Sequence, residues 1–167
     1  MSKMNSKQDL IFSEEQKFSQ WWMCIFISIP FAIGLFGSYK QLIRGEVFGD
    51  RPMSDLGLII FTLIGLGLII FFWSHKLTTR LDEEGISVHF FPYTKKFHSW
   101  KEIDYCEVIA YEFVGGWGIR LWTKYGTVYN VQQGEGLFVQ LKNKKKFLVG
   151  TQNPEKMTEI IKLLQVN

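Results

Sequence analysis

The sequence predicts an α+β protein: an apolar two-helix hairpin, then a bent antiparallel sheet of about seven strands capped by a C-terminal helix. Three observations lead there. Residues 21–39 and 56–74 are each nineteen residues long and carry no charged side chain. From residue 76 onward apolar positions recur with a period of two, interrupted by Gly, Pro and Asn turns. Near the C-terminus the period becomes helical: Met157, Ile160, Ile161 and Leu164 form one apolar stripe.

The apolar spans divide the chain. At about 1.5 Å per residue, each is long enough to cross a hydrocarbon core of roughly 30 Å. Residues 1–12 read as a polar tail. Ser13, followed three residues later by Gln16, reads as a capping box, with Glu14 and Glu15 suited to a helix N-terminus. This predicts a helix from about residue 14 running into the first span, and a hairpin unit of residues 13–74. Trp21, Trp22 and Tyr39 sit at the span ends as interfacial anchors, and Pro30 is tolerated within a membrane helix. The first span is too long for a signal peptide and no small-residue cleavage site follows it. Gly34, Gly37, Gly57, Gly65 and Gly67 offer places for close helix approach, without a GxxxG pattern.

Basic residues near the span ends set the expected orientation. The connecting loop carries Lys40, Arg44 and Arg51, while the outer flanks carry Lys3, Lys7, Lys17, Lys76, Arg80 and Lys95. Six against three places both termini in the cytoplasm, with the protein in the cell (inner) membrane. The spans hold no Asp, Glu, Lys, Arg or His, which argues against a transport path.

Residues 75–167 form the expected sheet domain. Strands are expected near 76–82, 86–91, 96–100, 103–111, 119–124, 127–131, 136–142 and 145–150. Asn153 as N-cap and Pro154 at the first helical position open the last helix.

Composition excludes several functions. A net charge of +3 is too small for nucleic-acid binding. The nearest basic cluster, Lys142 with Lys144, Lys145 and Lys146, reads as a solvated hairpin tip. Cys24 and Cys106 form no CxxC, so no redox or zinc motif is present. No G-x-S-x-G exists, and Gly115-Gly116-Trp117-Gly118 lacks the Lys-Ser/Thr of a phosphate loop. No catalytic residue and no cofactor is expected. If residues 92–95 close a symmetric hairpin, His89 faces His98, and the pair would hold a metal given a third ligand that spacing does not supply.

Two sets of residues are candidates for binding. Lys76 and Arg80 leave the second span directly and are placed for lipid headgroups. Phe113, Trp117, Arg120, Trp122 and Tyr129 crowd one part of the chain, and Trp, Tyr and Arg dominate interface energetics. A two-residue turn at Tyr125-Gly126 sets Trp122 opposite Tyr129 and Arg120 opposite Val131, with Ile119 and Leu121 toward the core; a bulge at Gly126 shifts this by one. The alternative for the same residues is a cross-strand aromatic pair, with Arg120 paired to Glu112.

Strands followed by one terminal helix, with Glu84-Gly85-Ile86, Trp100-Lys101-Glu102-Ile103, Gly116-Trp117-Gly118-Ile119-Arg120, Tyr129-Asn130-Val131 and the run from Leu148 to Glu155, resemble the pleckstrin-homology-like (PH-like) superfold. The chain looks like small bacterial proteins in which a two-helix membrane hairpin precedes a PH-like domain. The resemblance implies a membrane-anchored, non-enzymatic binding or scaffolding module on the cytoplasmic face. Its partners would be the lipid bilayer and a membrane or cytoplasmic protein. The alternatives are an accessory subunit of a larger membrane complex and, more remotely, a metal-dependent enzyme using His89 and His98.

Overall fold

The computed structural model describes residues 12–18 and 20–165, with the backbone alone at Gln165. The chain forms two compact units: Ser19–Ser74, and a second unit built from the segment before it and everything from His75 on.

The first unit is a helical hairpin. Helix α1, Trp21–Ser38, continues through a π-helical turn at Tyr39–Ile43, and α2 spans Asp55–Ser74. Both are apolar all round, and only 11% of the apolar window in each is buried. They are long and apolar enough to cross a membrane. Two glycines make their contact. A Cβ on Gly34 would stand 2.6 Å from Thr62 Oγ1, and one on Gly65 would stand 2.9 Å from the Phe31 backbone. Small residues thus let the backbones meet, as membrane helices require where no hydrophobic force separates helix from lipid. The Ser38 and Thr62 hydroxyls hydrogen-bond at 3.2 Å across the interface. In the connection, Gln41 Nε2 donates to Asp55 Oδ1 at 2.6 Å and to the Met53 carbonyl at 2.9 Å.

The second unit has two sheets and a helix. Strands β1 (Phe12–Lys17), β2 (Lys76–Leu81), β3 (Gly85–Phe91) and β4 (Thr94–Ser99) form an antiparallel sheet in that order. After a 3₁₀ turn at Trp100–Glu102 come β5 (Ile103–Ala110), β6 (Gly118–Thr123), β7 (Gly126–Asn130), β8 (Glu135–Leu141) and β9 (Lys146–Thr151). Their order is β5-β8-β9-β7-β6, and β7 runs parallel to β9. Helix α3 spans Pro154–Gln165. Period-two burial turns Leu77, Leu81, Ile86, Val88 and Phe90 of the first sheet toward Leu137, Val139 and Val149 of the second. The expected stripe of α3 closes this core, with Met157, Ile160 and Ile161 buried and Leu164 packed beside them.

Five expectations are corrected. The capping box at Ser13 does not start a helix: Phe12–Lys17 is strand β1, paired with β2 from Phe12↔Leu81 to Lys17↔Lys76. Tertiary pairing overrides a local signal here. Phe12, Glu14 and Gln16 alternate inward, and the Glu14 carboxylate accepts from Thr151 Oγ1 at 2.7 Å, the Gln152 backbone N–H at 2.7 Å and Asn153 Nδ2 at 3.1 Å. Gln16 Nε2 donates to the Gly150 carbonyl at 2.7 Å. Segment 12–18 therefore belongs to the sheet unit, and the described residues form nine strands, not about seven. The sheets are not wholly antiparallel, because β9 inserts between β7 and β8. The β3–β4 hairpin closes through Pro92 and Tyr93 with Phe90 opposite Thr94, so His89 faces Lys95 and His98 faces Ile86. Ile86 and His89 are an odd number of positions apart, which puts the two imidazoles on opposite faces of the sheet. Among the described residues no group of three or more His, Cys, Asp or Glu side chains gathers to hold a metal. The remaining polar tail, residues 1–11, lies outside the described residues.

Candidate functional site

A cleft of about 250 Å³ opens where the two sheets diverge. β4 supplies one wall, through Lys96 and His98. The β8–β9 turn supplies Lys145, the start of β9 supplies Lys146, and β6 supplies Trp122. Val88, Tyr129 and Phe147 form the floor.

Local chemistry holds each wall. Gly126 has φ +81°, and a Cβ there would overlap the Lys146 carbonyl oxygen, so only glycine lets β7 begin against β9. That approach brings Lys146 beside the β6–β7 turn. The turn is tied by Thr123 Oγ1, which donates to the Gly126 carbonyl at 2.9 Å and accepts from the Tyr125 N–H at 3.1 Å. The His98 ring stacks on Phe147, with centroids 4.9 Å apart and planes at 26°. Burial there pushes the imidazole below its usual range, against the opposing pull of Glu102, whose Oε2 is 3.6 Å from Nδ1. Lys96 Nζ lies 5.8 Å from the centre of the Tyr129 ring, within cation–π range.

Trp122 stands apart from every other residue of β6. The register slips between Arg120 and Thr123, and Trp122 occupies the slip with φ +56°. A bulky residue in the left-handed region is an outlier. Its side chain is 95% exposed.

The other predicted binding residues are dispersed. Tyr129 is buried opposite Ile119, not opposite Trp122, because the turn is Lys124-Tyr125, with Thr123 opposite Gly126, and the bulge shifts the register by one more. Arg120 faces Val128, not Val131, and its guanidinium lies against Gly116, where a Cβ would stand closer than van der Waals contact allows. Glu112 pairs with Lys124 instead of Arg120. Leu121, assigned to the core, is 53% exposed, since the bulge turns it outward. Phe113 is exposed and Trp117 half-buried, both away from the cleft lining. Of the five residues, the cleft brings together Trp122 and Tyr129.

Lys76 and Arg80 lie on the outer face of the first sheet, where they share a shallow depression of about 290 Å³ with His89 and Lys95. Lys76 Nζ is 3.0 Å from Glu15 Oε2, and that contact holds the Glu15 carboxyl below its usual range. Lys95 and His89 join this basic face through the register of β3 and β4.

No protein-family model matches this chain, no curated protein matches it, and no solved structure matches it. Sequence reasoning missed the cleft lysines. Lys145 and Lys146, read as a solvated hairpin tip, meet Lys96 across the cleft. The one local signal was Gly126, a turn glycine beside an aromatic run.

Proposed function

We propose that the chain is a membrane-anchored, non-enzymatic binding module of PH-like type, displayed on the cytoplasmic face. The observation that carries the reading is connectivity. β1 and β2 are neighbouring strands, yet the whole helical hairpin lies between them in sequence, from Lys17 to its ladder partner Lys76. Two crossings return the chain to the side it left, so a domain that takes one strand from before the hairpin and the rest from after it fits two spans. A soluble core helix fits poorly, because both helices leave most of their apolar surface uncovered. A cleaved leader fits poorly as well. Cleavage beyond the first apolar run would remove β1, whose Phe12, Glu14 and Gln16 are buried in the sheet unit.

The side follows from the six outer basic residues against three in the loop. Lys76, Arg80 and Lys95 on the outer face, with Glu15 paired to Lys76, suit anionic headgroups, each Lys or Arg contributing about 1 kcal/mol near such a surface. Cysteine labelling tests the topology in a Cys24→Ala, Cys106→Ala background. Membrane-impermeant reagent on intact cells should modify Asp50→Cys in the connecting loop and spare Lys142→Cys in the sheet unit. Modification of the second and not the first reverses the assignment, and modification of both removes the anchor.

A second reading, an accessory subunit of a membrane complex, is favoured by one observation. Cys24, Ser28 and Ala32 open a shallow apolar groove on α1, suited to another helix. Co-purification of a stoichiometric membrane partner in mild detergent, lost on Ser28→Phe, would select it.

A further inference from the structure

We infer that the cleft beside β4 binds an extended acidic segment of a partner protein, with an aromatic residue of that segment seated against Trp122. The inference deepens the binding-module reading and rests on it, but not on its membrane topology.

Four observations converge. The first is charge. Lys96, Lys145 and Lys146 border the cleft, and no acidic side chain is among its lining residues. An occupant with carboxylates complements three cations at once. The second is size. About 250 Å³ falls below the range of small-molecule sites, roughly 300–1,000 Å³. The space suits one or two side chains of a longer chain. The apolar floor of Val88, Tyr129 and Phe147 suits an apolar or aromatic one.

The third is the edge. Among the described residues β4 ends its sheet and pairs with β3 alone. Its other edge presents backbone N–H and C=O groups to whatever lies alongside. A peptide that adds there as a strand gains main-chain hydrogen bonds, and every second side chain turns toward the cleft. Lysines on an edge strand also discourage self-association, so Lys95 and Lys96 alone would not decide the matter.

The fourth observation decides it. Trp122 is held in a left-handed conformation at the lip of the cleft while 95% of its surface faces solvent. The exposed indole adds little packing to the fold. The strain is explained if the indole is a docking surface, since strained backbone gathers at binding sites and tryptophan leads among interface anchors.

The test uses the full chain in nanodiscs of zwitterionic lipid, as target for a phage-displayed library of random dodecapeptides. Selected peptides should be rich in Asp and Glu around one aromatic residue, and their binding should weaken with salt. Trp122→Gly and the double variant Lys145→Glu, Lys146→Glu should each weaken it at least about tenfold. Trp122→Gly should not lower the thermal midpoint, which separates lost binding from lost fold. Amides of β4 should gain protection from hydrogen exchange when peptide is added. Peptides without acidic bias, binding that survives both variants, or unprotected β4 amides each overturn the inference. So does direct binding of soluble dihexanoyl phosphatidylglycerol that depends on Trp122 with no peptide selected, which would give the cleft to lipid headgroups. Labelling that reversed the topology would leave the peptide result standing.

Discussion

Replacing Trp122 with glycine should leave the sheet unit as stable as the parent or more so. Trp122 is 95% exposed, so about 5% of its surface is covered. Taking roughly 250 Å² for the side chain and about 25 cal/mol per Å², the packing lost is only ~0.3 kcal/mol. The left-handed backbone at φ +56° costs a non-glycine residue about 1–2 kcal/mol, which glycine recovers. Glycine also gains freedom in the unfolded chain, an opposing effect of about 0.4–1 kcal/mol. The net lies between about zero and 1 kcal/mol in favour of the variant. For a unit of this size that is a rise in Tm of zero to roughly 8 °C. Near-ultraviolet circular dichroism of the full chain in detergent follows the melt. A tryptophan packed in the core loses about 3–5 kcal/mol on truncation. A fall of that order would refute the reasoning, because it would mean that the indole is packed in solution and that the lip of the cleft is not open.

Glu14→Ala should destabilise the sheet unit by about 2–4 kcal/mol, read as a lower urea midpoint, because Thr151, Gln152 and Asn153 lose their acceptor; Glu14→Gln should lose less. Burial depresses His98, so its folded pKa lies below the unfolded one of about 6.5. Stability is then full above that unfolded value and falls as pH drops toward the folded one, since the unfolded chain takes up the proton first. His98→Phe, which keeps the stack on Phe147, should flatten this part of the pH profile; an unchanged profile would assign it elsewhere. Cysteines placed at Ser38 and Thr62 should form a disulfide, given their 3.2 Å hydroxyl contact, and Gly65→Leu should abolish it by pushing against the Phe31 backbone.

Features that depend on neighbours in sequence were legible. The spans announce themselves by nineteen uncharged positions, and α3 by a stripe at helical spacing. Features that depend on distant pairing were not. Ser13 to Gln16 carry the same residues whether they cap a helix or alternate along a strand, and the partner that decides is β2, beyond both spans. Registers failed where a single residue decides them. Pro92 and Tyr93 close their hairpin tightly enough to part His89 from His98, and the turn at Lys124-Tyr125 with the bulge beyond it sets Tyr129 opposite Ile119 instead of Trp122. The cleft was illegible for the same reason. Lys96 and Lys146 are fifty positions apart, and they meet because β9 inserts beside β7, a parallel pairing that no local pattern encodes.

Packing of α1 against α2 shortens the loop that the β1–β2 ladder has to close. Closing a loop as long as Lys17 to Lys76 carries an entropic cost that grows with the logarithm of its length. Most of that cost is met when α1 and α2 pack. Gly34 meets Thr62 and Gly65 meets Phe31, an antiparallel register that, carried down both helices, sets Trp21 level with the end of α2. Only Phe18, Ser19 and Gln20 separate β1 from α1, and only His75 separates α2 from β2. Once the helices are packed, the two strands are tethered to adjacent helix ends and behave as though joined by a short connection. The ladder register from Lys17↔Lys76 to Phe12↔Leu81 then follows with little further loss of freedom, and Glu14 locks it to the start of α3. By this argument, a change that parts the helices, such as Gly65→Leu, should also raise hydrogen exchange along β1 before it affects β8 or β9. Uniform protection across all strands in that variant would show that the ladder forms without help from the hairpin.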